Sequence, residues 1–106
     1  MGLSHLEGLT DDELVIELKE IARRCRVEII KMVYRAQAGH PGGSLSEIDL
    51  IAALYATTLN VNPKEPKWAE RDRFVLSKGH ASPGMYSILA EMGFILHSDL
   101  ESYRVL

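Results

Sequence analysis

Residues 73–89 read RFVLSKGHASPGMYSIL, and the fold class turns on how this stretch divides. Phe74, Val75 and Leu76 form a short apolar run behind charged residues. Such a run suits a strand covered on both faces, as in a parallel sheet. Residues 77–82 then read as the loop after that strand. Ser82 has the side chain of a helix N-cap, and Pro83 has the fixed φ of a first helical residue. Met85, Ile88 and Leu89 continue the helix, and Gly93 stops it. The expected class is therefore α/β, mostly helical, with one short parallel-type strand at residues 73–77.

A second stretch, AGHPGGSLSEIDL at residues 38–50, repeats the device of a histidine in a glycine-rich turn ahead of a helix. A long preceding helix is expected to end near Gln37, with Gly39 as its stop. Ser44 and Glu47 are spaced as a capping box, and Ile48, Ile51, Ala52, Tyr55 and Leu59 form the apolar side of the next helix. The long helix itself opens on Thr10 with Glu13 three residues later, a second box, while Asp11 and Asp12 complement its dipole. Its apolar stripe runs through Leu14, Leu18, Ile21, Cys25, Ile29, Met32, Val33 and Ala36. Lys19, Arg23, Arg24 and Lys31 take the wet side. Residues 60–73 carry two prolines and read as an irregular connection, with Trp68 as its anchor and Asp72 in a surface salt bridge. Ser98 and Glu101 are spaced as a further cap for a helix that Leu106 cuts short. Residues 1–10 read as a flexible tail, and residues 11–106 as one incomplete domain. A single buried-type strand has no partner strand here, so the sequence is expected to be a piece of an α/β domain whose pairing comes from other polypeptide.

The placement of His40 and His80 has a chemical consequence. A helix N-terminus carries unpaired N–H groups and about half a positive charge, so an imidazole there is discouraged from becoming cationic. A neutral imidazole donates from one nitrogen and accepts at the other, which suits proton movement at a substrate oxygen near neutral pH. A strand-to-helix loop is also where α/β sheets place ligands, and helix N-termini favour phosphates. Gly39, Gly42 and Gly43 leave room for a ligand to approach the backbone. The competing reading is that turn histidines only bond their own loops. His5 and His97 are read in that way.

Composition narrows the remaining classes. Of the 106 residues, 46% are hydrophobic and 25% charged, the balance of a globular domain and not of a disordered tail. The net charge is −3 with basic residues spread among acids, which excludes a nucleic-acid surface. The one cysteine, Cys25, falls on the apolar stripe and is read as an inert core thiol. So low a count fits a reducing compartment, and a cytoplasmic location is expected. No apolar run reaches membrane-spanning length. No His, Cys, Asp or Glu cluster has metal-ligand spacing, so no metal ligand is assigned.

With these motifs in place, the sequence resembles the N-terminal part of the transketolase family. The resemblance rests on AGHPGGSLSEIDLIAALY, on NPKEPKWAERDRFVLSKGHASPGMYSILAEMGF and on the long helix before them, and covers nearly all of residues 11–106. It is nearest to the split type, in which the diphosphate-binding and pyrimidine-binding halves are separate chains. The resemblance implies a thiamine-diphosphate-binding three-layer α/β/α domain, here a truncated piece of it. It implies transfer of a two-carbon ketol unit from a ketose phosphate to an aldose phosphate, with thiamine diphosphate and Mg²⁺ or Ca²⁺. It implies that His40 lies in the substrate channel and moves protons, and that His80 contacts the cofactor beside its diphosphate. The family's Gly-Asp-Gly metal and diphosphate motif is absent, so the metal ligands are expected outside these residues. A C-terminal transketolase half, a homo- or hetero-oligomer and inactivity of the chain alone follow from the resemblance. Two alternatives stand beside it. One is a non-catalytic helical assembly module, and the other a deoxyxylulose-phosphate-synthase-like fragment.

Overall fold

The computed structural model describes residues 6–37 and 41–103, with the side chain of His80 excepted. Thr10 starts the first helix, α1 (Asp11–Ala36). Its hydroxyl accepts from the Glu13 N–H at 3.2 Å, and the Glu13 carboxylate accepts from the Thr10 N–H at 3.0 Å. The expected capping box is therefore formed, and these bonds hold the Glu13 carboxyl below its ordinary range. The helix ends where expected, near Gln37. Gln37 takes the left-handed conformation at φ 52°, and its backbone and side-chain N–H groups both donate to the Tyr34 carbonyl. Gly39 lies outside the described residues.

α2 (Pro41–Ala53) begins at the proline, which needs no N–H partner at a helix start. This corrects the expected Ser44–Glu47 box. Ser44 lies inside the helix, and its hydroxyl bonds to the start of α3 instead. Ile48, Ile51, Ala52 and Tyr55 are buried as their spacing predicts. The helix then widens into a π-turn (Leu54–Thr58), closed by the Leu59 N–H on the Leu54 carbonyl at 2.8 Å.

α3 (Ser82–Met92) follows a short 3₁₀ turn (Gly79–Ala81). Ala81 occupies the cap position and Ser82 is already helical, one residue from expectation. Gly93 ends α3 at φ 91°, as the sequence predicts. A further 3₁₀ segment (His97–Ser102) replaces the expected α-helix. Its start is bonded through the Leu96 N–H to the Asp99 carboxylate at 2.9 Å, not through Ser98 and Glu101.

The three α-helices pack on one another around Ile21, Cys25, Ile29, Ile48, Ile51 and Ile88, all at most 1% exposed. Among the described residues there is no β-strand, which corrects the strand expected at residues 73–77. The reason is that a strand is defined by its ladder, and no described segment lies alongside to make one. The backbone of residues 74–77 makes no hydrogen bond among the described residues. The segment is nevertheless placed, because Phe74 turns inward and meets the Tyr55 ring edge-on at 5.8 Å. Val75, on the alternate side, is 81% exposed. The 60–73 connection is tied at its ends by Asn60 and Asp72. The Asp72 carboxylate accepts from the Asn60 N–H at 2.6 Å, and the Asp72 N–H donates to the Asn60 carbonyl at 2.8 Å. Asp72 thus clamps backbone where a surface ion pair was expected, and Trp68 stays half-exposed and outside the core.

Candidate functional site

A buried polar junction joins the first turn of α2 to the start of α3. Ser44 is fully buried. Its hydroxyl donates to the Ala81 carbonyl at 3.1 Å and accepts from the Gly84 N–H at 3.0 Å. The two helix starts meet closely here. A Cβ on Gly84 would stand 3.0 Å from Glu47 Oε1 and 3.3 Å from Ser44 Cβ, so only glycine fits without displacement. Lys78 reaches across the same junction, with Nζ 3.4 Å from the Gly43 carbonyl and 3.3 Å from the Ser46 hydroxyl. Gly42 and Gly79 face open space.

Glu47 adds a carboxyl group to this corner. Its Oε1 is buried and has no hydrogen-bond partner among the described residues. Burial raises its carboxyl above the ordinary range, and the positive charge of Lys78 partly opposes that rise.

His40 immediately precedes α2 in the sequence and lies outside the described residues. The backbone of His80 forms part of the Gly79–Ala81 turn, and its side chain lies outside the described residues. The described neighbours of the two histidines, from 41 to 44 and from 78 to 84, are brought together through Ser44 and Lys78. His5 is outside the described residues, and His97 is exposed on the far segment. Three members of the junction went unread in the sequence: Ser44, Gly84 and Lys78. Ser44 was assigned to a local cap, and nothing in the spacing of a serine and a glycine 40 residues apart announces a contact.

A separate groove of about 490 Å³ runs between α3 and the 95–103 segment. Tyr86, Leu89, Ile95 and Tyr103 make it largely apolar, and the Asp99 carboxylate lines it too, so it offers no cradle for an anion. Among the described residues no three His, Cys, Asp or Glu side chains converge as a metal site, and no helix is long and apolar enough to cross a membrane.

Comparison with known proteins identifies the fold to which this corner belongs. Residues 17–106 match the family described as "Transketolase, thiamine diphosphate binding domain". Transketolase 1 of Vibrio cholerae is 42% identical over 89 residues, covering 83% of this chain and 13% of the relative. Human transketolase is 36% identical over 94 residues, covering 89% of this chain and 15% of the relative. Mouse transketolase-like protein 2 is 36% identical over 104 residues, covering 98% of this chain and 16% of the relative. The chain thus spans only about a seventh of the length of these relatives. The matched range contains both histidine turns and the Ser44 junction between them, and the chain belongs to the transketolase family, within its thiamine diphosphate binding domain.

Proposed function

We propose that this chain forms one wall of the thiamine diphosphate site of a transketolase, which moves a two-carbon ketol unit from a ketose phosphate to an aldose phosphate. The observation that carries the reading is the junction of the 41–44 and 78–84 segments, which sets the starts of α2 and α3 side by side; in the sequence His40 directly precedes the first and His80 belongs to the turn before the second. When bound, thiamine diphosphate supplies the nucleophilic carbon that such a transfer requires. The described residues suit the periphery of a diphosphate. They provide a helix start with open backbone at Gly42, an open turn at Gly79, and the Lys78 cation.

His40 acts as the catalytic residue, a neutral imidazole that takes and returns protons at the substrate oxygens. His80 binds the cofactor beside its diphosphate. The divalent cation, Mg²⁺ or Ca²⁺, needs oxygen ligands beyond those the described residues offer, so its ligands come from elsewhere in the assembly. The rest of the site belongs to a C-terminal transketolase half in an oligomer. That half is either part of the same gene product or a separate subunit, as in the split type that the sequence resembles.

Reconstitution tests the proposal. The complete assembly with thiamine diphosphate and Mg²⁺ is expected to transfer the ketol unit, and the 106-residue chain alone to show no turnover. His40→Ala in the assembly lowers kcat by about 10²-fold or more, the range for loss of a general acid–base. His80→Ala chiefly weakens cofactor binding. Unchanged turnover and cofactor affinity in both variants would sink the assignment and favour a non-catalytic assembly module.

A further inference from the structure

We infer that Ser44 is a positioning residue that fixes the turn bearing His80 against the start of α2; the inference rests on the function proposed above. Its hydroxyl has one hydrogen to give and lone pairs to accept with, and it uses both across the junction. The partners, the Ala81 carbonyl and the Gly84 N–H, are backbone groups at 3.1 Å and 3.0 Å. Backbone partners cannot follow the hydroxyl by rotating a side chain, so the bonds fix one helix start against the other. Ala81 directly follows His80. Ser44 lies one helical turn from Pro41, which directly follows His40.

The site is buried, at 0% exposure, so water does not replace a lost bond. Deleting the hydroxyl leaves the buried Gly84 N–H, a first-turn donor with no intrahelical acceptor, without this partner, and takes one bond from the Ala81 carbonyl. The close approach at Gly84 leaves no slack to absorb that loss by drawing the helices nearer. Relief comes from the α3 start moving away, which carries the 79–81 turn with it. Ser44 therefore acts on the cofactor through the placement of His80 and not by contact.

The test uses the complete assembly and thiamine diphosphate titration. Ser44→Ala is expected to weaken cofactor binding about tenfold, the effect of a net loss near that of one buried hydrogen bond. Ile29→Val serves as the stability control, since Ile29 is buried on α1 and belongs to neither turn; its affinity is expected to match the wild type. In a His80→Ala background, Ser44→Ala is expected to add little, because the two changes act through one group. Ser44→Cys, which keeps a weak donor and acceptor in similar volume, is expected to fall between serine and alanine. Should the alanine variant fail to assemble, the cysteine variant decides: wild-type affinity there overturns the inference. Equal losses in both backgrounds, or an equal loss in Ile29→Val, also overturn it. If the wild-type assembly takes up no thiamine diphosphate, the functional reading falls and the inference with it. If the wild type binds and Ser44→Ala binds equally well, the inference alone falls.

Discussion

Two titratable groups show how burial sets chemistry residue by residue. Cys25 is fully buried, and burial pushes its thiol up to about 11. The thiolate is the reactive form, so Cys25 is expected to resist iodoacetamide in the folded protein at pH 8 and to label rapidly in denaturant. Mass spectrometry of the two reactions checks this, and equal rates would contradict the packing of the thiol. Glu47 is pushed the same way for the same reason. Its folded carboxyl lies above the ordinary value of 4.5, so the protonated form is the one folding favours. Stability linked to Glu47 is thus fully present below pH 4.5 and falls as the pH rises through the raised folded value. Glu47→Gln removes this dependence. The variant's gain over the native chain is expected to grow between pH 4 and pH 7, measured by urea midpoints; a gain independent of pH would refute the cause. The sequence revealed Cys25 through its place on an apolar stripe. Glu47 was misread, because its pairing with Ser44 looked local.

At the scale of elements, helix starts and stops followed local chemistry wherever that chemistry was self-contained. Thr10 with Glu13, and Gly93, needed nothing from the rest of the chain. Gly93→Ala forces a Cβ into the left-handed region and is expected to cost about 1–2 kcal/mol. Between elements, α1 and α3 are joined by Arg24, whose Nε and Nη2 approach the two Glu91 carboxylate oxygens at 3.1 Å and 3.2 Å. Glu91 is 10% exposed in its side chain while Arg24 is 41% exposed, so the pair is only partly shielded from solvent. Glu91→Ala is therefore expected to cost about 1 kcal/mol, below the roughly 1.5–3 kcal/mol of well-shielded charged hydrogen bonds, and more than Glu20→Ala on the exposed α1 surface. Denaturant midpoints at constant m-value check the order; a reversal would mean that the inter-helix pair does not hold α1 to α3.

For the molecule as a whole, the informative segment is residues 73–77. Its apolar alternation is real, since Phe74 is turned in onto Tyr55 and Val75 is 81% exposed. Its backbone is free of hydrogen bonds among the described residues. The amides of residues 74–77 are expected to exchange with deuterium rapidly in the chain alone and to become protected in the complete assembly. Rapid exchange in both would show that no neighbouring strand pairs there.

What the sequence determined by itself is what short-range physics controls. Helical periodicity marked the buried faces of α1 and α2. The Thr10 box and the Gly93 stop fixed two helix ends, and the GHPGG and SKGHAS turns carried the family resemblance. Tertiary structure decided what depends on residues far apart in the chain. It took Ser44 from a supposed cap to a bridge between two helix starts, and it turned Asp72 from a surface charge into a backbone clamp on Asn60. It also withheld strand status from residues 73–77. A cap is completed within four residues, whereas a ladder or a buried bridge exists only where a distant group arrives to complete it.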